Sequence, residues 1–234
     1  LGAGESGVGA ALLGQQKGYE VFVSDGAVIT GKFKEQLEKH GIEYESGFHS
    51  EEKILNANEV MKSPGIPEKN ELVKRIRNQG ISIISEIEFA FRYKGDSKII
   101  GITGSNGKTT TTALIYHIAK AGGLEVALVG NIGYSFAKQV AEDPKPWYVA
   151  EISSFQLDDI KTFRPDVAIL TNITEDHLDR YEYRFENYIR SKFRITENQT
   201  ENDFFIYCQD DPVIMQSIRN YTIHANPLPF TMNN

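Results

Sequence analysis

The sequence predicts an α/β protein built on two open, mostly parallel sheets, and three observations carry that prediction. Helix-like and strand-like segments alternate along the chain at the spacing of βαβ units. Two glycine-rich turns, GAGESG at Gly2–Gly7 and GSNGKT at Gly104–Thr109, each open onto a helical pattern. A polar, glycine-containing break, YKGDSK at 93–98, separates the two alternating stretches. Residues 1–93 therefore read as one domain, 94–97 as a linker and 98–234 as a second domain.

In the first domain, Gly7 to Gly18 reads as a helix, YEVFVSD as a strand, KFKEQLEKHG as an amphipathic helix and IEYES as a strand. NEVMKS is a strand halted by Pro64 and Pro67, EKNELVKRIRNQG a helix ending at Gly80, and ISIIS a strand, which makes one open parallel sheet. In the second domain the strand KIIGIT runs into the second glycine turn, and a helix starts at Lys108. LEVALVG, WYVAEIS, VAILTNI and FFIYC follow as strands, with the helices YSFAKQVAED, FENYIRSKFRITEN and DPVIMQSIRN among them. No internal repeat or low-complexity tract interrupts this order.

The 234 residues are 40% hydrophobic and 24% charged, an ordinary globular composition with room for two domains. A net charge of −7 without a Lys/Arg-dense block excludes broad binding to nucleic acid or anionic membrane, so anionic ligands must be held by local devices. No apolar run approaches the roughly 20 residues that span a bilayer, and no basic-then-apolar leader opens the sequence; the expectation is a cytoplasmic protein without membrane insertion. The single cysteine, Cys208, has no partner for an internal disulfide and is expected in the core. LGAGESGVG reads as the turn after a strand that precedes it, and YTIHANPLPFTMNN ends in strand-like material without a closing helix, so the chain reads as part of a longer protein.

The second glycine turn is the sharper signal. A strict G-x-x-x-x-G-K-[ST] loop would place glycine at Ile102; what stands here is the shorter G-x-x-G-K-T, after a strand and before a helix. Backbone N–H groups of Gly104, Ser105, Asn106, Gly107, Lys108, Thr109 and Thr110 are placed to hold nucleotide phosphates. Lys108 neutralises charge near the transferring phosphate, and Thr109 is positioned for Mg²⁺. This makes the second domain P-loop-type.

Gly2-x-Gly4-x-x-Gly7 with Asp25 about 20 residues on matches the dinucleotide fingerprint, so the first domain reads as Rossmann-like. The same turn suits any pyrophosphate, a UDP-sugar included, and glycines needed only for close strand–helix packing are a further reading. Ser63-Pro64-Gly65 falls at the carboxyl end of another strand in that sheet, where ligands of open α/β sheets bind.

After the phosphate loop, Glu151 emerges from the strand WYVA at the same sheet end, as a metal ligand or as the N-cap partner of the helix that follows. His177 lies among Asn172, Glu175, Asp176 and Asp179, either in a solvated loop or completing the metal site. Lys192, inside a helix, reads from its residue type as a surface charge.

The stretches GAGESG, SPGI, GITGSNGKTTT, GNIG, EISSFQL, TNITEDHLDRY and YIRSKFRI, in this order across nearly the whole chain, resemble the Mur ligase family of peptidoglycan synthesis. The resemblance implies three domains, the third absent from this sequence; separately from it, a monomer is expected. It implies ATP-dependent addition of D-glutamate to UDP-N-acetylmuramoyl-L-alanine through an acyl phosphate, with Mg²⁺ as cofactor. Carried over by motif, Glu5, Ser6, Asp25 and Gly65 become UDP-side contacts, and Asn131, Ser153, Gln156 and His177 substrate contacts. Thr109, Glu151, His177 and Lys192 become metal ligands, Lys192 as a carbamate, and Lys108, His177 and Lys192 catalytic residues. Three alternatives stay open: a nicotinamide-dependent oxidoreductase using the first glycine cluster, a module that only binds UDP-sugar and nucleotide, and another amino-acid-adding Mur ligase or folylpolyglutamate synthase.

Overall fold

The computed structural model describes residues 1–233. Its first elements are α1 (Glu5–Gln16), β1 (Phe22–Asp25), α2 (Gly31–Lys39), β2 (Glu43–Ser46), α3 (Glu51–Leu55), β3 (Glu59–Met61), α4 (Glu71–Asn78), β4 (Ser82–Ile84) and α5 (Glu86–Tyr93). There follow β5 (Lys98–Thr103), α6 (Lys108–Ala121), β6 (Val126–Gly130), α7 (Phe136–Glu142), β7 (Trp147–Glu151), α8 (Ser154–Leu157), β8 (Val167–Leu170), α9 (Phe185–Phe193), β9 (Phe204–Cys208), α10 (Pro212–Ser217) and β10 (Asn226–Phe230).

The chain forms two compact units. One comprises Leu1–Lys94, Tyr134–Pro144 and Asp159–Lys161, the other Gly95–Gly133, Lys145–Asp158 and Thr162–Asn234. The segments at 134–144 and 159–161 lie within the range 98–234 that the sequence reading gives to the second domain. Side-chain chemistry ties them to the first unit: Glu86 Oε1 accepts 2.6 Å bonds from the Ser135 hydroxyl and the Ala137 N–H at the start of α7, and Asp159 pairs with Lys62 at 3.1 Å. Gly9 makes the close approach of α1 possible, since a Cβ there would stand 2.0 Å from Ser135 Oγ.

The strands of the first unit pair in parallel, β1 with β2 and β3 with β4, as two separate ladders rather than the single open sheet expected. The reason is visible at Leu1 and Gly2, which stand between them. Gly2 N–H donates to Ser24 O of β1, while Leu1 bonds Met61 and Ser63 at the end of β3. Each ladder buries its own apolar face, one around Val8, Leu12, Val23 and Leu37, the other around Val60, Val73, Ile76 and Ile83. Two helices, α3 and α5, have no counterpart in the sequence reading. In α5 the buried positions include Glu86 and Glu88, which breaks the apolar periodicity that marks a helix.

The second unit is a six-stranded, all-parallel sheet in the order β10-β9-β8-β5-β7-β6. Ile102, Val126, Val149 and Ile169 form its core against α6 residues Ile115, Tyr116 and Ala119. Pro227 and Pro229 are tolerated in β10 because it is an edge strand. Cys208, expected in the core, is only partly buried, because it lies at the carboxyl end of β9 where the strand leaves the sheet. Parallel pairing brings the ends of β5, β6, β7 and β8 to one edge: Ile102 and Gly130 each register with Glu151, and Thr103 with Leu170.

Candidate active site

At that edge β5 passes into α6 through Gly104–Gly107. Gly104 has φ 147° and a Cβ there would lie 2.0 Å from Thr171 Oγ1, so only glycine fits. Gly107, at φ 79°, caps α6 in the left-handed region. The loop is held by the segment leaving β8. The N–H of Ser105 donates to Asn172 O (3.0 Å) and that of Asn106 to Asn172 Oδ1 (2.8 Å), while Asn172 Nδ2 returns a bond to Asn106 O (2.9 Å). Ser105 Oγ exchanges bonds with the backbone of Thr174 and meets the Tyr188 hydroxyl at 3.1 Å. The N–H groups of Ser105 and Asn106 are thus committed within the protein. Those of Lys108, Thr109 and Thr110 precede the first intrahelical bond, Thr111 N–H to Gly107 O, and lie at the positive end of α6.

Two lysines converge on one carbonyl. Lys108 Nζ donates to Gly104 O and Ser105 O, both at 2.8 Å, and Lys192 Nζ donates to Gly104 O at 2.8 Å and Thr103 Oγ1 at 3.3 Å. Lys192, read from its type as a surface charge, is 1% exposed because α9 carries it inward beneath the loop. Burial, then the Lys108 charge, pushes its ammonium down to about 7; burial also lowers Lys108.

Glu151, 1% exposed, ends β7 with both oxygens engaged: Oε2 accepts from Thr109 Oγ1 and Oε1 from Asn131 Nδ2, each at 2.7 Å. Asn131 N–H also donates to Glu151 O, and Gly130 permits this closeness, since a Cβ there would stand 2.2 Å from the same oxygen. Glu151 does not cap α8. That place is taken by Ser153, whose side chain and that of Gln156 close a capping box on each other's backbone N–H.

His177 lies apart from these groups. Its φ is 50°, its Nε2 stands 3.4 Å from Asp176 Oδ2, its ring packs 5.2 Å from that of Phe155, and its side chain is 55% exposed. The structure brings Thr109, Asn131, Glu151, Lys108 and Lys192 around one loop; it does not bring His177 or Lys192 onto the Glu151 carboxylate. Among the described residues no group of three or more His, Cys, Asp or Glu side chains is assembled for a metal ion. Asn172, Thr174 and Tyr188 hold the loop, a role that the sequence reading does not assign to them. The signal for the first two is the polar run TNIT, directly after a buried strand at the same sheet edge.

In the first unit, α1 begins at Glu5, two residues earlier than read, so Glu5 and Ser6 occupy its first turn; Glu5 pairs with Lys32 at 3.0 Å. Gly2 and Gly7 are sterically required, since added Cβ atoms would meet Ser63 Oγ at 2.6 Å and Gly2 O at 1.8 Å, whereas Gly4 opens onto free space. Asp25 Oδ2 accepts Ala3 N–H (2.7 Å) and Oδ1 accepts Ala27 N–H (2.8 Å), tying the glycine turn to the end of β1. Gly65 is exposed in the turn after β3, with open space where a Cβ would stand.

Fold and loop together are those of a P-loop-type α/β protein joined to a Rossmann-like unit. The Mur ligase middle domain family matches residues 102–228 and the MurD N-terminal domain family residues 1–72; the chain belongs to the Mur ligase family. It is similar to UDP-N-acetylmuramoylalanine--D-glutamate ligases of Bacteroides fragilis (58% identical over 99% of this chain and 52% of the relative), Porphyromonas gingivalis (55%, 99% and 51%) and Chlorobaculum parvum (42%, 92% and 46%). The chain spans about half the length of these curated relatives. Its fold is similar to that of a UDP-N-acetylmuramate:L-alanyl-gamma-D-glutamyl-meso-diaminopimelate ligase from Neisseria meningitides (TM-score 0.64, 19% identity, 95% of this chain and 74% of that one). It is also similar to the UDP-N-acetylmuramate-alanine ligase MurC of Thermotoga maritima (TM-score 0.56, 20%, 99% and 52%).

Proposed function

We propose that the chain is the UDP-substrate-binding and ATP-binding part of a ligase of peptidoglycan precursor synthesis in the cytoplasm, which joins D-glutamate to UDP-N-acetylmuramoyl-L-alanine. The observation that carries the reading is the Gly104–Thr110 loop with Lys108 and the Thr109–Glu151 pair at one edge of a parallel sheet. The names of relatives at 42–58% identity support the choice of donor and acceptor. The oxidoreductase alternative is disfavoured because it gives this loop no task.

In this reading the N–H groups opening α6 hold the ATP phosphates, and Lys108 exchanges the Gly104 and Ser105 carbonyls for a phosphate oxygen. A carboxylate oxygen of the alanyl group attacks the γ-phosphorus while the bond to the leaving ADP oxygen breaks, giving an acyl phosphate. The amine of D-glutamate then adds to the acyl carbon, loses a proton, and the tetrahedral centre collapses to an amide as inorganic phosphate departs. Thr109 Oγ1 and Glu151 Oε2 are hard oxygen donors 2.7 Å apart, a pair suited to Mg²⁺. The ion, when bound there, screens phosphate charge. His177 and a carbamylated Lys192 are assigned to the metal set as well; to serve in it, Lys192 has to leave Gly104 O and His177 has to turn from Asp176. Glu5, Ser6, Asp25 and Gly65 are assigned to the UDP end, and Asn131, Ser153 and Gln156 to the rest of the substrate. D-Glutamate selection is assigned to a third domain.

The test is phosphate release by the full-length gene product with ATP, Mg²⁺ and UDP-N-acetylmuramoyl-L-alanine, with D-glutamate, L-glutamate or meso-diaminopimelate. Release that requires D-glutamate supports the reading; release with another amino acid moves the protein to a sister step. The half-length match favours a second statement, that this chain by itself binds UDP-sugar and nucleotide without turnover. Turnover by the 234-residue chain alone refutes it.

A further inference from the structure

The first unit holds a cavity of about 270 Å³ at the carboxyl ends of β1 and β3, lined among others by Gly2, Gly4, Asp25, His49, Ser63 and Asn70. The glycine turn bridges those two strands, and the ends of β1 and β2 form the side where a Rossmann-like sheet takes the nucleoside. Asp25, the acid that the fingerprint offers for the ribose, accepts one backbone N–H on each oxygen and keeps a lone pair on each for a ribose hydroxyl. His49, which follows β2, has one nitrogen left.

A relay of hydrogen bonds orients that nitrogen. Ser24 Oγ stands 2.6 Å from Glu45 Oε1 and 2.6 Å from His49 Nδ1, and Ser50 N–H donates to the same Glu45 oxygen at 2.7 Å. Burial pushes the Glu45 carboxyl up, but bonds from Ser24 and Ser50 hold it below its ordinary range. A carboxylate only accepts, so the single Ser24 proton points to Glu45, and Ser24 Oγ must accept from His49 Nδ1–H. The neutral imidazole then carries its lone pair on Nε2. Nε2 makes no hydrogen bond among the described residues and faces Gly26, where a Cβ would come within 3.1 Å of it.

We propose that His49 determines base specificity in this cavity, its Nε2 accepting a hydrogen bond from the N3–H imide of a uracil ring. The inference rests on the reading of this unit as the UDP-substrate domain. Cytosine carries a lone pair at N3 and meets Nε2 acceptor to acceptor, so the same geometry selects against it.

Calorimetric binding of UDP, CDP and N3-methyl-UDP to the full-length protein at pH 8 tests it, with wild type, His49→Phe and His49→Gln. Wild type is expected to lose about tenfold or more in affinity on N3-methylation and on exchange to CDP. His49→Phe is expected to weaken UDP by a similar factor and to bring the three ligands within about threefold of one another; His49→Gln, which keeps an acceptor, recovers part of the preference. Equal wild-type affinity for UDP and N3-methyl-UDP overturns the proposal without any variant. UDP binding by wild type with an unchanged UDP/CDP ratio in His49→Phe overturns it and leaves the UDP-substrate reading standing, whereas no UDP binding by wild type overturns both.

Discussion

Lys108 and Lys192 have the same charge and share a carbonyl, yet the structure gives them different environments. Lys108 is half-buried at the mouth of α6, and its removal leaves the fold a satisfied Gly104 O through Lys192. Lys108→Ala is therefore expected to keep its near-UV circular dichroism while turnover of the full-length enzyme at saturating ATP falls by about 10²-fold or more; near-normal turnover removes the lysine from the phosphate site. Lys192 is a buried ammonium beside another cation, which opposes folding. Lys192→Met is expected to raise stability by about 1–3 kcal/mol in urea titration and to abolish turnover, a trade between function and stability. A destabilised Lys192→Met would mean that the lysine holds the loop rather than serving the reaction. Lys108 is legible in the sequence, because its glycine spacing sits between a strand and a helix; Lys192 is marked there only by the family resemblance, and its burial is opaque, because a helical lysine faces inward only when a sheet edge lies beneath it.

Among the elements, the Gly104–Gly107 loop takes its shape from a neighbour rather than from itself. Asn172 takes the N–H groups of Ser105 and Asn106 and returns a bond to Asn106 O, so it fixes which amides stay available at the start of α6. Asn172→Ala is expected to weaken ATP binding about tenfold with little change in UDP affinity; calorimetry with both nucleotides reads the split, and equal losses would point to general unfolding instead. The capping box of α8 is a separate, purely local device. Ser153→Ala is expected to lower stability by about 1 kcal/mol at the denaturant midpoint. If Ser153→Ala instead leaves stability intact and raises the KM for the UDP substrate, the serine belongs to the site and not to the cap.

Across the whole molecule, Glu86 links parts of the chain about 50 residues apart. Burial raises its carboxyl to about 6 from an ordinary 4.5, against bonds from the N–H groups of α7 and the Ser135 hydroxyl. The folded chain thus holds this proton more tightly than the unfolded one. The stabilisation is full below pH 4.5 and is lost as pH rises through 6, a change of about 2 kcal/mol from this one group. Glu86→Gln, which cannot ionise, is expected to remove that component when wild type and variant are unfolded in urea at pH 4.5 and pH 7. Parallel pH profiles for the two proteins refute the assignment.

The α/β class, most strands and helices and the two glycine turns were all readable from the amino-acid order, because they rest on local periodicity and on backbone conformations that only glycine adopts. Short motifs in a constant order carried the family as well. Tertiary packing was needed to set the first unit's strands as two ladders bridged by Leu1–Gly2, to add residues 134–144 to that unit, and to bring Lys192 beneath the Gly104–Gly107 loop. Packing also pairs β2 with β1 in the register that lets Ser24, Glu45 and His49 meet. One cause underlies these differences: parallel strands are joined by long crossovers, so the groups that meet at a sheet edge are roughly 20 to 90 residues apart, a separation at which periodicity carries no information.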